Sequence, residues 1–332
     1  MSTLSHFGGR RVLVVGDAML DEHIQGQVRR LSPEAPVPIV EIQSRRFHPG
    51  GAANVAANIT SLGGSALLVG IIGADAAGMQ LRQELCERAV GPEYLIASVD
   101  RRTTTKSRVM AGGQHIVRFD EECHLDLSAD EEGALAGRAA ECVGEADACI
   151  ISDYAKGVAT SKICQAVITA ACGKGIPIVV DPKGSDYTKY AGATVITPNF
   201  HEATTLAGTY DSRFHVRDDS GILIEDIAET IMRRCSASLL ITRGSEGMSL
   251  FERGGRPVTI RARARQVYDV TGAGDTVVAT LALGLAAGLS LEKACRLGNL
   301  AAGIVVGELG ASTISLEALE SAAEEEDLIF PQ

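Results

Sequence analysis

Short apolar runs of strand length alternate with helix-length segments almost from one end of the chain to the other. The runs fall at residues 11–15, 66–72, 148–152, 176–180, 194–196 and 239–242; the longer segments fall at 52–62, 76–89, 129–143, 161–171 and 222–235. Strands that are apolar throughout must be covered on both faces, and a helix between successive strands makes their pairing parallel. The pattern therefore predicts an α/β fold, a doubly wound and mostly parallel sheet flanked by helices. The last third turns helical, at 272–287, 291–306 and 315–325. Two regions break the rhythm. Residues 22–43 and 103–119 alternate apolar with polar and carry Pro33, Pro36, Pro38 and a Gly112-Gly113 turn. They predict extra strands that form a small β-rich lid inserted into one domain spanning 1–332.

With 332 residues, 45% of them hydrophobic, the chain has material for a sizeable core. Its formal net charge is −11, with no basic block and no aromatic platform among the lysines and arginines, which argues against nucleic acid or an anionic membrane as partner. The eight cysteines form no C-x-x-C pair and read as small buried hydrophobes in a reducing compartment. The first residues hold no apolar signal-peptide core, and the longest apolar stretch, 277–289, is too short and too rich in glycine to span a bilayer. A cytoplasmic protein is expected.

In a parallel sheet, ligands bind beyond the carboxyl ends of the strands. Polar residues gather at those ends: Asp17 and Asp21 after the first run, Asp153-Tyr154-Ala155-Lys156-Gly157 after the third, Asp181-Pro182-Lys183 after the fourth. Asn199 and Glu202 follow the fifth, and Thr242-Arg243-Gly244 with Gly247 follow the sixth. Each alone suits a helix cap. Five in succession at one edge point to an active-site crevice.

The sharpest local signal is Asp269-Val270-Thr271-Gly272-Ala273-Gly274-Asp275-Thr276, followed by an apolar helix. Gly272 and Gly274 bring backbone N–H groups to the positive end of that helix, an anion hole suited to a transferring phosphoryl group. Asp275, in the first turn, is placed to take a proton from an attacking hydroxyl, its charge stabilised by the helix end. A second glycine pair, Gly50-Gly51, opens another small-residue helix with Asn54 in its first turn, suited to sugar hydroxyls. The chain has no G-x-x-x-x-G-K-[ST] loop, no G-x-G-x-x-G after the first strand, no zinc-protease H-E-x-x-H and no G-x-S-x-G elbow.

These residues resemble a known family. Gly50-Gly51-Ala52-Ala53-Asn54-Val55-Ala56 together with 269–276 is similar to the paired signatures of ribokinase-like, or phosphofructokinase-B, carbohydrate kinases, and the resemblance covers essentially the whole chain. It implies a sugar kinase that uses ATP and Mg²⁺, with Asp275 as catalytic base, Gly272, Ala273 and Gly274 as the anion hole, and a lid that often makes a dimer contact. Asn199 and Glu202 resemble the family's N-x-x-E element, which organises Mg²⁺ and nucleotide phosphates largely through water. Thr242, Arg243, Gly244 and Gly247 resemble its nucleotide-side loop, with Asn299 beside the adenine. Asp269 and Thr271 match part of a loop for a monovalent cation, K⁺ being the candidate.

A narrower resemblance is carried by Gly16-Asp17-Ala18-Met19-Leu20-Asp21, by Arg30-Leu31-Ser32-Pro33-Glu34-Ala35-Pro36-Val37-Pro38, by Ser152-Asp153-Tyr154-Ala155-Lys156-Gly157 and by Asp181-Pro182-Lys183. It is to D-glycero-β-D-manno-heptose 7-phosphate kinases, which phosphorylate the anomeric hydroxyl to give the 1,7-bisphosphate of lipopolysaccharide inner-core synthesis. Many of these are fused to an adenylyltransferase; with no H-x-G-H motif, this chain is expected to be the kinase alone. The resemblance then implies a sugar pocket of Asp17, Asn54, Asp153 and the Gly50 and Gly51 amides, with Lys183 and Arg108 or Arg118 on the remote phosphate. Ribose, fructose phosphate or a nucleoside are rival substrates. A nicotinamide-dependent dehydrogenase and a non-catalytic sugar sensor are rival functions.

Overall fold

A computed structural model describes residues 3–123, 125–211, 224–263, 270–307 and 313–325. Across its central sheet run β13 (Val258–Ile260), β12 (Met248–Phe251), β11 (Ser238–Thr242), β10 (Val195–Ile196), β9 (Ile178–Asp181), β8 (Ala148–Ser152), β1 (Arg11–Gly16), β4 (Ser65–Gly73) and β5 (Leu95–Ser98). From β11 to β5 all neighbours pair in parallel, while β12 runs antiparallel to both β11 and β13.

Successive side chains of a strand point to opposite faces, so a strand buried on both sides feeds two cores. Val12 and Val14 of β1 join a core with helices α1 (Ala52–Ser61), α2 (Ala76–Glu87), α7 (Ala273–Ala286), α8 (Leu291–Val305) and α9 (Leu316–Glu325). Leu13 and Val15 join the other, with α3 (Ala129–Cys142), α4 (Ser161–Cys172), α5 (Phe200–Tyr210) and α6 (Ile224–Cys235). Each fully buried Val, Leu or Ile stabilises the fold by roughly 1.5–3 kcal/mol before entropy is counted. This is the doubly wound α/β fold expected from the uninterrupted apolar runs.

A second sheet, in the order β3 (Pro38–Gly51), β2 (Ala18–Leu31), β6 (Thr105–Ala111) and β7 (Gln114–Glu121), takes in the two regions that broke the rhythm. Its register gives it two unlike faces. Asp21 pairs with His48 and Lys106, Lys106 with Asp120, His23 with Arg46 and Arg108, and Arg108 with Arg118, so one face is polar and carries paired charges. Ile24, Val40, Ile42, Val109, Val117 and Phe119 line an apolar groove on the other.

Strands β5, β12 and β13 and helix α5 were not predicted; β5 has only four residues. Strands β12 and β13 have only four and three residues, too few to establish a period. Helix α5 was hidden because its signal is a capping box, Asn199-x-x-Glu202, instead of a long apolar stripe. All eight cysteines are free, and five of them are buried. No helix among the described residues is long and apolar enough to cross a membrane.

Candidate active site

The parallel strands deliver their carboxyl ends to one edge, and the N-terminus of α7 enters there. Its N-cap, Gly272, has φ 80° and accepts the Thr276 N–H at 3.0 Å. That left-handed conformation suits glycine, and a Cβ would also stand 3.0 Å from the Asn54 amide nitrogen. The N–H groups of Gly274 and Asp275 lie in the first turn, where no intrahelical acceptor exists. A Cβ on Gly274 would meet no atom within 4 Å, so the protein leaves this approach open. Ala273 needs correction as an anion-hole donor: its N–H turns to the Val270 carbonyl at 3.3 Å.

Asp275 is 6% exposed. Its Oδ2 accepts from the Asn54 side-chain amide at 2.6 Å, and its Oδ1 accepts from the Tyr154 hydroxyl. Asn54 is in turn oriented by Asn58, whose amide donates to the Asn54 carbonyl at 3.0 Å and to its Oδ1 at 3.5 Å. The Thr276 hydroxyl, shared between Asn58 Oδ1 at 3.0 Å and the Gly272 carbonyl at 3.1 Å, closes the chain. Helices α1 and α7 are thus joined by a buried polar relay that fixes which end of the Asn54 amide faces the carboxylate. Burial pushes the Asp275 carboxyl up to about 6; the two donors pull it back, and the Asp21 charge adds to the rise. Desolvation outweighs the stabilisation expected of the helix end.

Asp17 and Asp153, both expected to hold sugar hydroxyls, are engaged by the protein itself. Asp17 Oδ2 accepts from the N–H groups of Tyr154 at 2.8 Å and Lys156 at 3.0 Å, and its Oδ1 from Val158 at 3.0 Å. Asp153 accepts from Ala155 N–H at 2.7 Å, Lys189 Nζ at 2.6 Å and the Tyr190 hydroxyl at 2.5 Å. These carboxylates position the 153–158 loop, and through it Tyr154.

Gly50 and Gly51 pair with Met19 and Ala18 at the root of the small sheet, and a Cβ on Gly50 would stand 2.8 Å from Asp21 Oδ2. Arg108 donates to Asp21 Oδ1 at 2.7 Å and its side chain is only 13% exposed, whereas Arg118, paired with Asp120 at 3.1 Å, is 58% exposed. Of the two arginines, Arg108 is therefore the one held in place.

Two cavities meet at Gly274, Thr242 and Val277. The smaller, about 170 Å³, is lined by Asp153, Tyr154, Asp181, Lys183, Asn199 and Glu202 among others. Lys183, expected on the remote sugar phosphate, lines this cavity, and its Nζ meets Glu202 Oε1 at 2.5 Å. Glu202 and Asn199 cap each other's N–H groups, at 3.1 and 2.9 Å. Asp181 is pushed well up by burial and by the negative charges of Asp275, Glu202 and Asp153. The larger cavity, about 330 Å³, is mostly apolar and lined by Gly244, Gly247, Met248, Val270, Asn299 and Val306 among others. Asn299 donates to the Arg261 carbonyl at 2.8 Å. Arg243 does not line it and pairs with Glu246. Asp269 lies outside the described residues; Thr271 has partners within the protein.

Sequence reasoning gave no role to Tyr154, Asn58, Thr276 or Asp181. Asn58 carried a signal: it lies four residues after Asn54, on the same helix face, in a segment otherwise rich in Ala, Val and Ile. Tyr154 followed directly on a strand-end aspartate.

Comparison with known proteins bears on this arrangement. Two curated relatives, each called bifunctional protein HldE, come from Syntrophotalea carbinolica and Geotalea uraniireducens. The first is 42% identical over 96% of this chain and 64% of its own length; the second is 46% identical over 92% and 61%. The chain thus spans less than two thirds of the length of these relatives. Among solved structures, Arabidopsis thaliana ribokinase complexed with ribose and ATP shares the fold with a TM-score of 0.70 at 21% identity, over 98% of this chain and 100% of that one. Escherichia coli phosphofructokinase-2 in complex with potassium does so at 0.75 and 22%, over 96% and 99%. The sequence pattern of pfkB family carbohydrate kinases matches residues 10–319, and the chain belongs to that family.

Proposed function

We propose that this protein transfers the γ-phosphoryl group of ATP to the anomeric hydroxyl of D-glycero-β-D-manno-heptose 7-phosphate, giving the 1,7-bisphosphate. The observation that carries the reading is the Asp275 carboxylate, buried beside the open start of α7 where two cavities join. The larger, apolar cavity suits a nucleotide base, with Thr242, Gly244, Gly247 and Asn299 along it. The triphosphate then runs toward Gly274 and the smaller cavity, where Lys183 supplies a positive charge. Asp275 accepts the proton of the sugar hydroxyl as its oxygen bonds to Pγ and the bond from Pγ to the bridging oxygen breaks, releasing ADP. A carboxylate titrating near 6 is ionised at neutral pH yet basic enough to take that proton.

Mg²⁺ fits the donor set. Asp181 and Glu202 crowd negative oxygen chemistry beside the anion site, and the raised Asp181 carboxyl is one that a hard cation would relieve. Among the described residues no group of three acidic, histidine or cysteine side chains is ready to hold a metal directly, which suits an ion held largely by phosphate oxygens and water. When bound, it would offset the phosphates' charge. A monovalent cation at Thr271 and Asp269, K⁺ for preference, completes the proposed cofactor set.

The heptose assignment rests on the resemblance of 16–21, 30–38, 152–157 and 181–183 to heptose 7-phosphate kinases. Arg108 and Lys106, on the polar face of the small sheet and paired there with Asp21 and Asp120, would turn to the 7-phosphate. This sheet would act as the lid, and its apolar face, Val40, Ile42, Val117 and Phe119 included, would meet a second copy in a dimer.

The test is ADP release with Mg²⁺ across heptose 7-phosphate, fructose 6-phosphate, ribose and adenosine, with the product read by ³¹P NMR. Selective conversion of heptose 7-phosphate to a bisphosphate is expected. Preference for another acceptor would overturn the substrate, and silence across the panel would overturn the kinase reading.

A further inference from the structure

Tyr154 lines the smaller cavity together with Gly274, and its hydroxyl already donates to Oδ1 of Asp275. Oδ2 of the same carboxylate is occupied by the Asn54 amide. The phenol therefore places an O–H where an acceptor alcohol must place its own, yet it holds its proton. Burial and the neighbouring Asp275 and Asp181 charges push it well above the ordinary tyrosine range.

The loop beneath is built to present this group. Asp17 binds the N–H groups of Tyr154, Lys156 and Val158, and Asp153 binds that of Ala155. Ala155 has φ 56°, a left-handed conformation that a side-chain-bearing residue keeps only where its surroundings enforce it. Across the ring stands Gly51, at φ 56°, where a Cβ would come within 3.3 Å of Tyr154 Cε2. Two buried carboxylates, a strained residue and a glycine converge on one phenol.

We propose that Tyr154 is a positioning residue that stands in for the acceptor hydroxyl before sugar binds, orienting Asp275 and keeping water off it until the sugar displaces the phenol. The inference rests on Asp275 being the base of a kinase. Without the phenol, a water molecule can take the vacated place on Asp275 Oδ1. It would give its proton to the carboxylate as its oxygen bonds to Pγ and ADP leaves, so ATP is hydrolysed with no sugar consumed.

Tyr154→Phe keeps the ring and removes only the hydroxyl. Phosphate release from ATP without sugar, and phosphoryl transfer to sugar, are measured on the same preparation. The ratio of hydrolysis to transfer should rise about tenfold or more, the range of one hydrogen bond to a charged acceptor. Both rates come from the same folded molecules, so partial unfolding leaves the ratio unaltered, and a merely structural role would not move it. Tyr154→Leu, which also opens the space, should raise it at least as far. A ratio unchanged or lowered in both variants overturns the inference while leaving the kinase reading intact. A wild-type protein that transfers phosphate to no sugar removes the kinase reading, and this inference with it.

Discussion

Asp17, at the exit of β1, and Asp275, at the start of α7, are carboxylates buried to nearly the same degree, 3% and 6% exposed. Both are pushed upward by desolvation. They differ in what answers that cost. Asp17 is bound by three backbone N–H groups of one loop, none of which can leave without unmaking the loop. Asp275 is bound by two side chains, an amide and a phenol, and it adjoins open cavity. A carboxylate satisfied by backbone is suited to hold a structure. One bound in part by a phenol that lines a cavity is suited to exchange that partner and take a proton.

The largest expected effect comes from removing the holding carboxylate. Asp17→Ala leaves three inward N–H groups without their acceptor, at about 1–3 kcal/mol for each that water cannot reach. Calorimetry should find a melting temperature lower by roughly ten degrees, with turnover falling as Tyr154 loses its seat. A shift of under about two degrees would break the contrast. Next is the relay behind Asp275. Asn58→Leu deprives the Thr276 hydroxyl and the Asn54 side chain of a partner, and kcat should fall about tenfold with little change in KM for ATP. Unchanged kcat would mean that Asn54 orients itself.

Two smaller effects concern titration. The acid limb of kcat/KM should lie near pH 6, because the proposed base must be ionised and burial, with the Asp21 charge adding to it, lifts that carboxyl. Tyr154→Phe removes a donor that lowers Asp275, so that limb should move upward. An unmoved limb would detach the phenol from the base. Finally, a carboxyl raised in the folded state contributes stability that is fully present below its unfolded value, 3.8, and lost as pH rises through about 6. Asp275→Asn should therefore melt a few degrees above wild type near pH 8, with the gap closing below about pH 4. Equal melting at both pH values would mean that burial does not strain this carboxylate.

The sheet was legible because strands apolar on both sides leave few alternatives, and the start of α7 because Gly272, Gly274 and Asp275 lie together in sequence. The difference between the two carboxylates was not legible. Asp17 meets partners 137 to 141 residues away, and Tyr154 meets Asp275 across 121 residues. A strand-end aspartate looks the same in sequence whether it faces a ligand or its own loop. The partner of Lys183 was hidden for a similar reason: it is Glu202, on a helix that the apolar pattern did not announce.

In the proposed mechanism Asp275 takes the proton of the acceptor hydroxyl. The most direct test is single-turnover phosphoryl transfer from ATP to heptose 7-phosphate by wild type and Asp275→Asn, with both ligands saturating and ATP binding measured separately. ATP affinity should stay within about twofold, and transfer should slow by about a hundredfold or more. Transfer at the wild-type rate by Asp275→Asn would contradict that mechanism.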